Sequence, residues 1–191
     1  MMVVKENGYV YIAADAWLRL CAGHADAEWY LNEENAPLCK IPNDDNIVAA
    51  LIGPNASFLC DLLRYEPDSI RGELTLEKLI LETAPDLRDF LKDCGKLSKT
   101  GSMRANIVFA QKDRAFIMTD NFHCSEVEDC EAFGRSENTL NAALYFSKGL
   151  PPEERFCACA KTLDEITGSN PFALYAINTQ TCKPYLIERK G

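Results

Sequence analysis

At 191 residues, with 47% apolar and 26% charged side chains, the chain has the make-up of one soluble globular domain, 1–191, long enough to bury a real core. Its formal net charge of −9 repels phosphate backbones, so nucleic acid is not an expected partner. No apolar run approaches the ~20 residues needed to cross a bilayer, and no charged segment followed by an apolar one opens the chain. A cytoplasmic protein with no membrane partner is therefore expected. The nine cysteines are odd in number and scattered through apolar runs such as Phe156-Cys157-Ala158-Cys159, the pattern of mostly reduced, buried thiols.

The first element in chain order is a hairpin. β-branched and aromatic runs flank Glu6-Asn7-Gly8, and Asn-Gly tolerates the positive φ that a two-residue turn requires. An acidic, aromatic-containing stretch follows at about 21–38, read as a loop insertion that either covers a cleft or lies on the surface. Asn46 to Gly53 is a nearly continuous apolar run with a Gly-Pro exit, which predicts a buried strand. Pro54-Asn55 opens a helix to about Tyr65 with Phe58, Leu59, Leu62 and Leu63 on one face and Asn55 as its cap.

Thr75 to about Cys94 predicts a second helix, kinked or broken at Pro85 and closed by Gly95. Asn106–Ala110 and Ala115–Thr119 predict two strands across a Gln111-Lys112-Asp113-Arg114 turn. Ser136 to about Lys148 is a third helix. Pro151-Pro152 opens a fourth that stops near Gly168. Phe172–Asn178 and Tyr185–Ile187 predict the last strands. Strand runs alternating with helix pairs suit two packed sheets with helices outside, an α+β class.

Several separate pieces carry a family resemblance. They are the hairpin ending in Ala13-Ala14-Asp15, then Lys40-Ile41-Pro42-Asn43-Asp44-Asp45-Asn46-Ile47, then Gly53-Pro54-Asn55-Ala56. Ala132-Phe133-Gly134-Arg135-Ser136 and Asp164-Glu165-Ile166-Thr167-Gly168 follow in the same order. Together they resemble proteasome β-type subunits and HslV, members of the N-terminal-nucleophile hydrolases. The resemblance implies a four-layer αββα sandwich.

In that family an N-terminal threonine hydroxyl attacks the scissile carbonyl while its own α-amine acts as base. A lysine favours the deprotonated nucleophile, and an aspartate holds the lysine. By resemblance Asp15 takes the aspartate role and Lys40 the lysine role, with Asp164 and Thr167 in the supporting turn. Each residue also has a plainer reading. Asp15 suits a strand end, Lys40 a solvated loop, and Asp164 and Thr167 a helix-terminal turn.

Three features depart from the family. Met1 stands two positions closer to Asp15 than the family's threonine would, and a thioether has no proton to lose. Arg135 replaces the serine of the family's Gly-Ser-Gly turn with a bulky permanent cation. Asp15 to Lys40 spans 25 residues, longer than the family's spacing.

The expected function is thus a proteasome-subunit-like protein, catalytically inactive as it stands and acting as a self-associating structural or interaction subunit with a possible peptide or protein ligand. The alternative is a threonine-type peptidase or amide hydrolase whose nucleophile precedes Met1. His123, Cys124, Cys130 and Cys157-x-Cys159 supply ligand atoms without the paired spacing of a zinc site, so neither metal nor other cofactor is expected. A Cys–His nucleophile using His24 or His123 is a further, weaker reading.

Overall fold

The computed structural model describes residues 1–15, 17–19, 29–31, 38–42, 45–65, 70–134, 136–167 and 174–187. Asn7 and Gly8 take φ of 52° and 79°, the conformation of the predicted two-residue turn. That turn joins β1 (Met2–Glu6) to β2 (Tyr9–Asp15), with Met2 opposite Ala13 and Glu6 opposite Tyr9. The strands β3 (Trp17–Arg19) and β4 (Trp29–Leu31) pair as a separate two-stranded ribbon.

Two five-stranded antiparallel sheets form the centre. One takes β10 (Cys130–Ala132), β1, β2, β11 (Leu174–Asn178) and β12 (Tyr185–Ile187), in that order. The other takes β5 (Leu38–Lys40), β6 (Val48–Ile52), β7 (Asn106–Gln111), β8 (Arg114–Met118) and β9 (Cys124–Val127). The helices are α1 (Ala56–Tyr65), α2 (Leu76–Lys78), α3 (Ala84–Asp93), α4 (Glu137–Phe146) and α5 (Pro152–Thr167).

Strand alternation sorts the side chains into three apolar layers. Val3, Val10, Ile12, Tyr175 and Ile177 of the first sheet meet Leu38, Val48, Ala50, Val108 and Ile117 of the second. The outer face of the second sheet, with Ala49, Leu51, Ile107, Phe109 and Phe116, is covered by Leu59 and Leu63 of α1 and by Leu87 and Leu91 of α3. On the other side Met2, Val4, Ala13 and Ala176 are covered by Leu140 and Leu144 of α4 and by Phe156 and Cys159 of α5. Both sheets are apolar on both faces, and the helix pairs close the outer ones. This is the αββα sandwich expected from the sequence.

Thr179 ties the two sheets at one end. Val10 donates its N–H to Thr179 Oγ1 at 3.0 Å, and the Thr179 hydroxyl donates to the Lys112 carbonyl in the β7–β8 turn. Gln111 braces the same end. Its Nε2 donates to the Asp45 and Gly72 carbonyls at 2.9 and 3.0 Å, and its Oε1 accepts from the Leu74 N–H at 2.7 Å.

The structure differs from the sequence expectations in three places. Of the kink or break expected at Pro85, the break does not occur. The chain passes from α2 through a π-helical turn, Leu79–Thr83, into α3, and the wider turn accommodates the proline's missing donor. Strands β3, β4, β5, β9 and β10 were not anticipated. Each has only three or four residues, too few for a period-2 pattern to register. Of these only β4 is an apolar-aromatic run like the equally short β12 (Tyr185–Ile187), which was expected. The acidic stretch at 21–38 is not wholly loop, because β4 lies inside it and β5 begins at its end. Among the described residues no helix is long and apolar enough to cross a membrane.

Phe109 is fully buried under both α1 and α3, so Phe109→Ala is expected to lower the unfolding free energy by ~3–5 kcal/mol in urea denaturation.

Candidate active-site end of the sandwich

The sandwich has two distinct ends. At one, the Met1 α-ammonium donates to the Phe133 carbonyl at 3.2 Å, and the Phe133 N–H donates back to the Met1 carbonyl at 2.9 Å. The Met1 side chain is 7% exposed and packs in the inter-sheet layer with Phe133. The next residue, Gly134, has φ +112°, and a Cβ there would stand 2.9 Å from Ile52 Cδ1. The first residue of the chain, the turn after β10 and the end of β6 therefore meet.

Beyond Ile52 the backbone turns at Gly53. Its φ is +134°, and a Cβ would lie 2.5 Å from the Arg104 carbonyl oxygen and 2.8 Å from Ala105 Cα. Only glycine lets β6 exit this close to the start of β7. Beside it opens a groove of about 470 Å³ lined by Ile52, Gly53, Ser102, Arg104, Asn106 and Asp120. Its polar groups are partly fixed: Ser102 Oγ donates to Asp120 Oδ2 at 3.1 Å, and the Asp120 N–H to Asn106 Oδ1 at 2.9 Å. Asn55 braces the floor, its Nδ2 donating to the Met103 and Lys96 carbonyls at 2.8 and 3.1 Å. A groove with a guanidinium, a carboxylate, a hydroxyl and an amide suits a polar, extended ligand better than an apolar one.

Asp15 ends β2 at this same end, paired with Leu174. The α5 helix starts at the opposite end, where Glu153 lies within electrostatic reach of Tyr11 and Tyr185. Burial pushes the Tyr185 phenol up to about 12, with Glu153 adding to the shift. Eleven residues of helix, about 16 Å at ~1.5 Å each, carry the chain from Glu153 back to half-buried Asp164. Thr167 is the last residue of α5, and β11 then begins opposite Asp15. The backbone thus brings Asp15, Asp164 and Thr167 to the Met1 end; the side chains of Asp15 and Thr167 lie outside the described residues, as do Arg135 and Gly168.

Lys40 lies elsewhere. It pairs with Val48 at the start of β6, while Ile52 at the other end of that strand faces the Met1 site. Four strand residues, about 13 Å at ~3.3 Å each, separate those levels. Lys40 is exposed and sits within electrostatic reach of Cys182, whose thiol burial pushes up and Lys40 pulls back down. Cys182 in turn contacts the Asn46 carbonyl, beside the Thr179 tie. The structure does not bring Lys40 to the Met1 amine. The lysine role that the resemblance implies for Lys40 gains no support from this register, because β5 runs antiparallel to β6 and Lys40 is the last of its residues.

By sequence, no family model and no curated protein matches the chain. By structure, BPH of Thiobacillus denitrificans superposes with a TM-score of 0.72 at 17% identity, over 93% of this chain and 95% of that one. A second structure of that protein is in complex with epoxomicin. Eukaryotic HslV from Trypanosoma brucei gives 0.61 at 16% identity, over 93% and 97%. Anbu (ancestral beta-subunit) from Yersinia bercovieri gives 0.63 at 14% identity, over 99% and 87%.

The fold is that of the proteasome-type N-terminal-nucleophile hydrolases.

Within this proteasome-type fold the Phe133 carbonyl and the groove below Gly53 were not foreseen from the sequence. The Gly53-Pro54 pair was a visible turn signal, but that Arg104 and Asp120 lie beside it depends on the β6–β7 pairing. Among the described residues no group of three His, Cys, Asp or Glu side chains is placed to hold a metal ion.

Gly53→Ala is expected to cost at least ~2 kcal/mol through strain at positive φ and the backbone clash. Chemical denaturation would read the loss, and a surviving fold would show altered backbone signals at Arg104 and Ala105.

Proposed function

We propose that this chain is a proteasome-subunit-like protein that does not perform threonine-type amide hydrolysis as it stands and serves as a self-associating structural or interaction subunit. The observation that carries the reading is the Met1 end. The β2–β11 register supports Asp15 at that end, with the last turn of α5 leading into β11 beside it, while Lys40, the cation expected next to an N-terminal amine, belongs with Val48 at the Thr179 end. The Val48 level that Lys40 shares and the Ile52 level beside Met1 lie about 13 Å apart along β6, and in the sequence Arg135 takes the place of the family's small serine.

The second reading is the hydrolase whose nucleophile precedes Met1. The β1–β2 register supports it: Met2 faces Ala13, so a residue before Met1 would continue β1 opposite Asp15. The polar groove beside Gly53 would then lie next to the nucleophile and could hold an extended peptide.

Self-association has its own support in the α4–α5 face. Tyr145, Phe146, Leu150 and Ile166 are exposed, Phe146 by 84%. Between the helices lies a groove of about 620 Å³ with Ala142, Ala143, Ala158 and Thr162 among its lining residues. A projecting ring beside a recess walled by small side chains is self-complementary, as a twofold contact between two copies requires.

Two experiments test these readings. The purified chain, incubated with fluorogenic peptides and with epoxomicin, is expected to show no turnover and no covalent adduct by intact mass. Either signal on this chain would overturn the non-catalytic reading. Phe146→Asp is expected to shift the protein to a smaller species in size-exclusion chromatography with light scattering. An unchanged size at matched concentration would remove α4–α5 as the contact.

A further inference from the structure

Cys39 and Cys60 come from different layers and meet inside the core. Cys39 is the middle residue of β5. Its neighbour Leu38 packs between the sheets, so alternation turns Cys39 outward onto the helix layer. Cys60 lies on the inner face of α1, one residue from the fully buried Leu59. The two side chains are 2% and 3% exposed, and β5 and α1 are in direct contact. Both belong to the one buried cluster between the second sheet and its helices, and each thiol's titration is shifted by the other.

We propose that Cys39 and Cys60 form a redox-convertible dithiol, which hydroperoxides oxidise to a disulfide pinning edge strand β5 to α1. The electrostatics give the two sulfurs different parts. The Cys39 thiol donating to Cys60 lowers the Cys60 thiol, and Arg64, one helical turn on, lowers it further. The same donated bond, and after it burial, raise Cys39. Cys60 is therefore the attacking thiolate.

The Cys60 thiolate attacks one oxygen of the peroxide, the O–O bond breaks, and hydroxide leaves with a proton from Cys39 as water. The Cys39 sulfur then attacks the Cys60 sulfenic sulfur and expels hydroxide, which takes up a proton as the second water. Two thiols and one peroxide give one disulfide and two waters. Access comes through β5, a three-residue edge strand that pairs with β6 and, among the described residues, with no other strand, so that it opens at lower cost than the strands inside its sheet.

The bond would close a loop between residues 39 and 60. Its oxidation is expected to raise the melting temperature by roughly 5–10 °C. The test treats the full wild-type chain with hydrogen peroxide, blocks residual thiols under denaturing conditions, and maps peptides without reduction. A Cys39–Cys60 linked peptide, two hydrogens lighter and released by dithiothreitol, is expected. In C39S the Cys60 sulfenic acid is expected to persist and be trapped by dimedone. The proposal is overturned if Cys39 and Cys60 stay alkylatable while exposed Cys94 is oxidised, or if the linked peptides join other pairs. The wild-type map decides this even if C39S fails to fold.

Discussion

Everything in this molecule is arranged around two sheets that must each bury both faces. The inner faces meet in one apolar layer built from Val3, Val10, Ile12 and Ile177 on one side and Val48, Val108 and Ile117 on the other. The outer faces are as apolar as the inner ones, so neither sheet is stable without its helix pair. At ~25 cal/mol per Å² of apolar surface removed from water, burial on this scale is the dominant favourable term. Polar ties act locally at the sheet ends. The Thr179 hydroxyl, fixed between β2 and the β7–β8 turn, locks one end of the sandwich, while the other end stays more open.

That asymmetry divides the chemistry. The Thr179 end is braced by Gln111 and holds Lys40 and Cys182. The Met1 end has the close glycine approaches, the chain's first amine held by Phe133, and the polar groove lined by Arg104 and Asp120. A scaffold that keeps its open groove where the strand termini converge is suited to binding there, whether or not a nucleophile is supplied. The helix layers carry the other exposed features. The α4–α5 face presents unpartnered aromatic surface, and the α1 face holds the Cys39–Cys60 contact.

Much of the architecture was legible in the sequence because it follows from local rules. The Asn7-Gly8 turn, the β7–β8 hairpin, the Gly95 helix end with φ of 64° and the apolar face of α1 each depend on residues within a few positions of one another. Edge strands β5, β9 and β10 escaped, since three or four residues of mixed polarity carry little pattern of their own, whereas the equally short β12 was visible as an apolar-aromatic run. The π turn before Pro85 escaped for a related reason: a proline predicts a lost donor, but the packing of Leu79 and Thr83 decides how the helix absorbs it.

The candidate site shows the same division more sharply. Sequence alone determined which residue types were present in what order, and through them the αββα class and the methionine at the head of β1. Tertiary structure decided their meeting. It put Asp15, Asp164 and Thr167 at the Met1 end and Lys40 at the other, and it set Arg104 and Asp120 beside Gly53. Distance along a chain fixes only how far apart two residues are able to lie. The direction of each strand and its register against its neighbour determine which end of the sandwich each residue reaches, and those are set by burial across the whole of both sheets.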